Sequence, residues 1–109
     1  MNFKEYYITG STSYIGSHLV NFLLKNKKKV TVLVRNKKKI SNYSWKKNVK
    51  IIKFNLKDEK YKFGILSKNS IFIHLAWDFL PNYDSIKHLD NAYNSYNLIN
   101  YLRIIGINN

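Results

Sequence analysis

Gly10, Ser13 and Gly16, in the stretch "TGSTSYIGSHLV", occupy the positions of a G-x-x-G-x-x-G turn whose middle glycine is replaced. Such a turn works through its backbone. Glycines let the chain turn tightly and let a pyrophosphate approach the N–H groups that open a helix. Gly10 would allow the sharp turn and Gly16 the close packing of helix on strand, with Tyr14 and Ile15 between Ser13 and Gly16 at the helix start. The hydroxymethyl group of Ser13 would either donate to a phosphate oxygen or crowd it. The plain alternative is a strand-to-helix turn with incidental glycines.

A loop of this kind needs a strand to deliver it and a helix to receive it. Four strand-length apolar blocks recur at residues 6–9, 30–34, 49–54 and 70–76, and three are nearly continuous, as buried parallel strands are. Residues 14–27 place Ile15, Leu19, Phe22 and Leu23 at helical spacing, with lysines from Lys25 onward at the end favoured by the helix dipole. Residues 35–48 read as a polar, irregular connection or a poor helix, and a short helix is expected around residues 63–66. From about Asp84 to Ile105, Ile86, Leu89, Tyr93, Tyr96, Leu98, Ile99, Leu102 and Ile105 form a broad helical face, and Gly106 reads as its stop. The expected fold is α/β, a parallel sheet with right-handed crossovers and flanking helices.

Composition narrows the classes. A chain of 109 residues forms one domain at most, and its lack of cysteine removes disulfides and thiolate chemistry. No apolar run approaches the roughly 20 residues of a membrane span, and the N-terminus has no secretory pattern, so a cytoplasmic protein is expected. The net charge of +13 invites a nucleic-acid partner. However, Lys, Asn, Ile and Tyr supply about half the chain, a bias that an AT-rich coding sequence produces on any fold. Sixteen of the 19 cations lie between Lys25 and Lys68, largely in helix ends and loops. With no accompanying RNP, zinc-finger or helix-turn-helix pattern, nucleic acid is not the expected partner, and no metal is expected either.

The loop "TGSTSYIGSHLV" resembles the opening of the extended short-chain dehydrogenases, the NAD-dependent epimerase and dehydratase family, and the likeness continues in register. "VTVLVR" resembles that family's second strand, "VKIIKFNLKD" its third, "SIFIHLAW" its fourth, and "HLDNAYNSYNLINYLRIIGI" the helix after it. "HLAWDFLPNYDSIKHL" is most similar to a subgroup of nucleotide-sugar oxidoreductases, with Phe79 where a glycine is expected. The resemblance implies a Rossmann-like parallel sheet of strand order 3-2-1-4, stopping after four strands, and a dinucleotide cofactor. Arg35, where an acidic residue would select NAD, suits a 2′-phosphate, so NADP is favoured and NAD stays open. Asn55 stands where an aspartate meets the adenine amino group, and Leu56 would pack on the adenine face. Leu75, Ala76 and Trp77 match the stretch beneath the nicotinamide ribose, although Trp77 reads equally as a cap on the sheet. His74 reads as a strand-end core residue rather than a base.

In this family the chemistry depends on a Ser or Thr after the fifth strand and a Tyr-x-x-x-Lys helix, both implied to lie beyond Asn109. Tyr43 to Lys47 and Tyr83 to Lys87 match that spacing, but they precede the required position, and chance supplies one or two such matches in a chain so rich in both residues. No catalytic residue is assigned. Residues 1–109 are therefore expected to be the NAD(P)-binding half-domain of a nucleotide-sugar epimerase, dehydratase or ketoreductase, inactive alone. Its open sheet edge would recruit a second copy or a complementing chain, and a nucleotide sugar would bind only to the completed enzyme. The alternatives are a non-catalytic NAD(P)-binding module and, behind it, a basic nucleic-acid binder on the same scaffold.

Overall fold

The computed structural model describes residues 5–57, 69–77 and 86–107. The expectations for residues 63–66, Phe79, Tyr83 and Asp84 lie outside them. Four parallel strands, β1 (Glu5–Thr9), β2 (Val30–Val34), β3 (Lys50–Lys53) and β4 (Ser70–His74), form one sheet in the order β3-β2-β1-β4. This is the expected order. Thr9, at the end of β1, stands in register with Leu33 of β2 on one side and His74 of β4 on the other.

Side chains alternate across the sheet with a period of two. Ile8, Val30, Val32, Val34 and Ile51 pack with Val20 and Leu23 of helix α1 (Tyr14–Lys25). Tyr7, Leu33, Ile52 and Phe72 pack with Leu98 and Leu102 of helix α2 (His88–Ile104), together with Ile107. β2 lies between β1 and β3 and is buried along its whole length. That explains why "VTVLV" is apolar but for Thr31, itself buried.

Each helix buries only part of the face expected. On α1 the buried residues are Gly16, Val20 and Leu23, whereas Ile15 and Phe22 are exposed. The smallest residue decides this. A Cβ on Gly16 would lie 2.0 Å from the Gly10 carbonyl oxygen, so only a glycine can face that turn. On α2, Leu98 and Leu102 turn to the sheet, and Leu89, Tyr93, Tyr96 and Ile99 are exposed. At 100° per residue the two sets cannot share one face.

The helix ends are closed by paired backbone bonds. Gly106, with φ of 94°, stops α2 as expected: Ile107 N–H donates to the Leu102 carbonyl at 2.8 Å and Gly106 N–H to that of Arg103 at 3.1 Å. The same arrangement ends α1, where Lys28 N–H meets the Leu23 carbonyl and Lys27 N–H that of Leu24, each at 3.0 Å. There Lys27 holds the left-handed conformation with φ of 60°. Hence α1 ends at Lys25, two residues before the expected boundary.

Residues 35–48, expected to be polar and irregular, carry two 3₁₀ turns, Lys37–Ile40 and Lys46–Asn48. They also contribute Ile40 and Trp45, both buried, to the core on the α1 side. Tyr43 stacks on Trp45 with ring centroids 4.9 Å apart. Isolated apolar residues in a lysine-rich stretch have no period that a sequence reading could use.

Two outcomes follow for stability, both measurable as shifts in urea midpoint. Leu98→Ala should lower stability by about 2–5 kcal/mol through a cavity beneath α2, and Ile99→Ala should change it by no more than about 0.5 kcal/mol. Lys27→Gly should raise it by about 0.5–1 kcal/mol, because relief of about 1–2 kcal/mol of left-handed strain exceeds the extra chain entropy of glycine.

Candidate functional site

All four strands run parallel, so their C-terminal ends open on one side of the sheet, and the chain segments leaving them line a single cleft. Its volume is about 350 Å³. Gly10 to Ser13 enter from β1, Arg35, Asn36 and Lys39 from β2, Phe54 to Leu56 from β3, and Leu75 to Trp77 from β4. Eight of the residues singled out by sequence thus meet in one place: Gly10, Ser13, Arg35, Asn55, Leu56, Leu75, Ala76 and Trp77.

The turn after β1 is held against the exit of β4. Gly10 has φ of 74°, and a Cβ there would lie 2.6 Å from the Leu75 carbonyl carbon and 2.8 Å from the Ala76 nitrogen. Glycine is required on both counts. Ser13 has ordinary extended angles, φ −74° and ψ 165°, so its backbone makes no demand for glycine. Its Oγ accepts the Gly16 N–H at 3.0 Å and donates to the Gly10 carbonyl at 2.7 Å. The hydroxyl is the N-cap of α1 and its proton is directed within the turn, not toward a ligand. Tyr14 and Ile15 do not line the cleft, and their side chains are 81% and 69% exposed. What they present is backbone, the first two N–H groups of α1, which have no acceptor within the helix. Gly16 lies behind the turn as a packing residue.

Other assignments are refined by their contacts. Asn55 Oδ1 accepts the Lys57 N–H at 3.0 Å, so one lone pair of the expected adenine acceptor is used by its own loop. Leu56 is both a cleft wall and a core residue, buried with Phe54 and Leu98. Trp77 likewise does two things: it lines the cleft, and its Nε1–H donates to His88 Nδ1 at 2.8 Å, tying β4 to the first turn of α2. Tyr43, one of the two chance Tyr-x-x-x-Lys matches, donates its hydroxyl to the Thr12 carbonyl at 2.9 Å and so braces the turn.

Three features are added by the fold. Lys39 lines the cleft beside Arg35, whereas its neighbours Lys37 and Lys38 do not. Asn36 caps the 3₁₀ turn that sets this choice, accepting the Lys38 N–H at 3.0 Å. Ser11, on the cleft wall, is buried, and its Oγ has no hydrogen-bond partner among the described residues. Thr9, buried at the end of β1, accepts the N–H groups of Leu75 and Ala76 on its Oγ1 at 3.0 and 3.1 Å. A polar residue ending an apolar strand was the available signal for Thr9; nothing local marked Ser11, and nothing local separated Lys39 from Lys37 and Lys38.

The cleft has the parts a dinucleotide needs. It offers open helix N–H groups behind a glycine turn, two cations at the end of β2, apolar walls after β3, and an orphaned hydroxyl at Ser11. A group of phosphates and flat rings fits that set.

Ser13→Ala should lower stability by about 1 kcal/mol and Ser13→Gly by only a few tenths, since a glycine N-cap leaves the N–H groups open to water. Gly16→Ala, driven into the Gly10 carbonyl, should lower it by about 1–3 kcal/mol. Thermal or urea unfolding of the three variants reads the order directly.

Comparisons with known proteins agree with this geometry. The NmrA-like family profile matches residues 4–89. Epimerase family proteins of Staphylococcus aureus, including those of strains MRSA252 and NCTC 8325 / PS 47, are 44% identical over 50 residues, covering 41% of this chain and 17% of theirs. The crystal structure of a UDP-galactose 4-epimerase superposes with a TM-score of 0.66 at 21% identity, over 94% of this chain and 35% of that one. That last likeness is one of fold. The chain thus spans 17% of the length of these curated relatives and about a third of the solved structure. With its profile match, its four-stranded parallel sheet and its epimerase relatives, the chain belongs to the NmrA-like family and has the fold of the N-terminal part of an NAD-dependent epimerase/dehydratase-type short-chain dehydrogenase.

Proposed function

We propose that residues 1–109 are the NAD(P)-binding portion of a nucleotide-sugar epimerase, dehydratase or ketoreductase that acts in the cytoplasm in surface polysaccharide synthesis. The observation that carries this is the convergence of four separate strand exits on one cleft, which together bring a glycine turn, two cations and apolar walls. The helix N–H groups of Tyr14 and Ile15 receive the pyrophosphate, Leu56 and Asn55 the adenine, and Leu75 to Trp77 the nicotinamide ribose. Arg35 and Lys39 select the 2′-phosphate of NADP over the bare ribose of NAD. When bound, the cofactor supplies hydride transfer. This chain's residues hold and orient it, while the proton-transferring Ser and Tyr-x-x-x-Lys elements and the sugar site belong to other parts of such an enzyme. The 109-residue chain by itself binds cofactor and turns over no sugar.

Thermal unfolding of the chain with NADPH or NADH is the test, because a ligand that binds only the folded state stabilises it by mass action. At ten times its Kd, NADPH should add about 1.4 kcal/mol, a rise in Tm of about 6–11 °C, with a smaller rise for NADH. Arg35→Ala should reduce the NADPH rise toward that of NADH, and Lys39→Ala should act in the same direction. A folded chain that neither nucleotide stabilises overturns the proposal.

A further inference from the structure

We propose that His74 is a positioning residue: held neutral in one tautomer between Thr9 and Ser95, it fixes the Leu75–Trp77 wall of the cleft, and it loosens that wall when its ring takes up a proton. As regulation of cofactor binding this rests on the dinucleotide function proposed above. The hold on the wall does not.

The tautomer follows from counting hydrogens. Thr9 Oγ1 has one hydrogen and two lone pairs, and the lone pairs accept the N–H groups of Leu75 and Ala76. Its hydrogen is left for His74 Nδ1, 2.6 Å away. A ring nitrogen that accepts carries no proton, so the proton of the neutral imidazole sits on Nε2, where Ser95 Oγ of α2 accepts it at 2.9 Å. The chain of bonds has one consistent direction, from the cleft wall through Thr9 and His74 to α2.

A second proton on His74 would break that direction. Nδ1–H and the Thr9 hydroxyl hydrogen would then meet head-on across 2.6 Å, so Thr9 must turn its hydroxyl and give up a lone pair. Ala76 is the residue that loses. Leu75 N–H has the Thr9 carbonyl as a second acceptor at 3.2 Å, whereas Thr9 Oγ1 is the acceptor recorded for Ala76 N–H. Leu75, Ala76 and Trp77 all line the cleft.

Among the described residues, nothing anionic faces the ring. From β1 the groups on its side of the sheet are Tyr7 and Thr9, and Glu5 lies at the far end of that strand, in register with Ser70. From α2 they are Ser95 and Arg103, a cation lining the same apolar groove as His74. Burial accordingly lowers the pKa of His74 below the usual imidazole value. The unfolded chain therefore binds this proton first as the pH falls, so stability is full above about pH 6.5 and declines below it.

The test uses the whole 109-residue chain and nuclear magnetic resonance. Ring ¹⁵N shifts of His74 report tautomer and titration, and amide exchange reports protection of Ala76 against Val32, while NADPH affinity is measured over the same pH range. We expect the Nε2–H tautomer at pH 8. On acidification the protection of Ala76 should fall at least about tenfold with the midpoint of the His74 ring, NADPH affinity should weaken in step, and Val32 should stay protected. His74→Asn, whose Oδ1 retains an acceptor for Thr9, should flatten the Ala76 profile. Ser95→Ala, which frees the tautomer, should reduce Ala76 protection already at pH 8. The proposal is overturned if His74 titrates while Ala76 stays protected, if the ring carries its proton on Nδ1 at pH 8, or if Ala76 and Val32 lose protection together. An Ala76 profile of the expected form in a chain that binds no NADPH at any pH would uphold the positioning role and overturn the cofactor reading instead.

Discussion

The cleft depends on a close approach of backbones at the end of β1. Gly10 lies so near the exit of β4 that a single added carbon would strike the Leu75 carbonyl group, and Thr9 Oγ1 fastens the same two segments with hydrogen bonds from Leu75 and Ala76. These contacts decide where the glycine turn ends and where the wall opposite begins. The start of α1 follows from them, because Gly16 must lie against the Gly10 carbonyl before Ser13 can cap the helix. Backbone atoms have no rotamers with which to yield, so the geometry tolerates little variation.

Around that point the sheet is buried on both faces, and the two cores are built differently. On the α2 side a helix and the chain after it supply Leu98, Leu102 and Ile107. On the α1 side the helix is joined by Ile40 and Trp45, which the connection between β2 and β3 inserts where a crossover helix would otherwise lie. Tyr43 connects that connection to the site, because it stacks on Trp45 and its hydroxyl reaches the Thr12 carbonyl of the turn. Packing beneath β2 and the shape of the glycine turn are therefore coupled through one side chain.

The charge is distributed with the same economy of function. Most lysines of the described chain are exposed, where water and salt screen them. Arg35 and Lys39 stand out by lining the cleft. The short 3₁₀ turn capped by Asn36 brings Lys39 to the cleft and leaves Lys37 and Lys38 outside it.

Periodicity and spacing made the parallel strands and the glycine turn legible in the sequence, and the resemblance in register added the strand order and the other segments of the cleft. They did not reveal which stripe of each helix is buried: both helices carry apolar residues on several sides, and a contact as local as Gly16 against Gly10 overrides the larger apolar stripe. Nor did they reveal the roles of Trp45 and Ser11, which depend on neighbours distant in the chain, or which of Lys37 to Lys39 reaches the cleft. The fate of the missing glycine was also a tertiary matter, since the sequence left Ser13 between donor and obstruction and the folded turn uses it as a cap. Local pattern determined the elements and their order. Close packing of backbone and the direction of hydrogen bonds, which exist only once distant segments meet, decided what each residue at the site does.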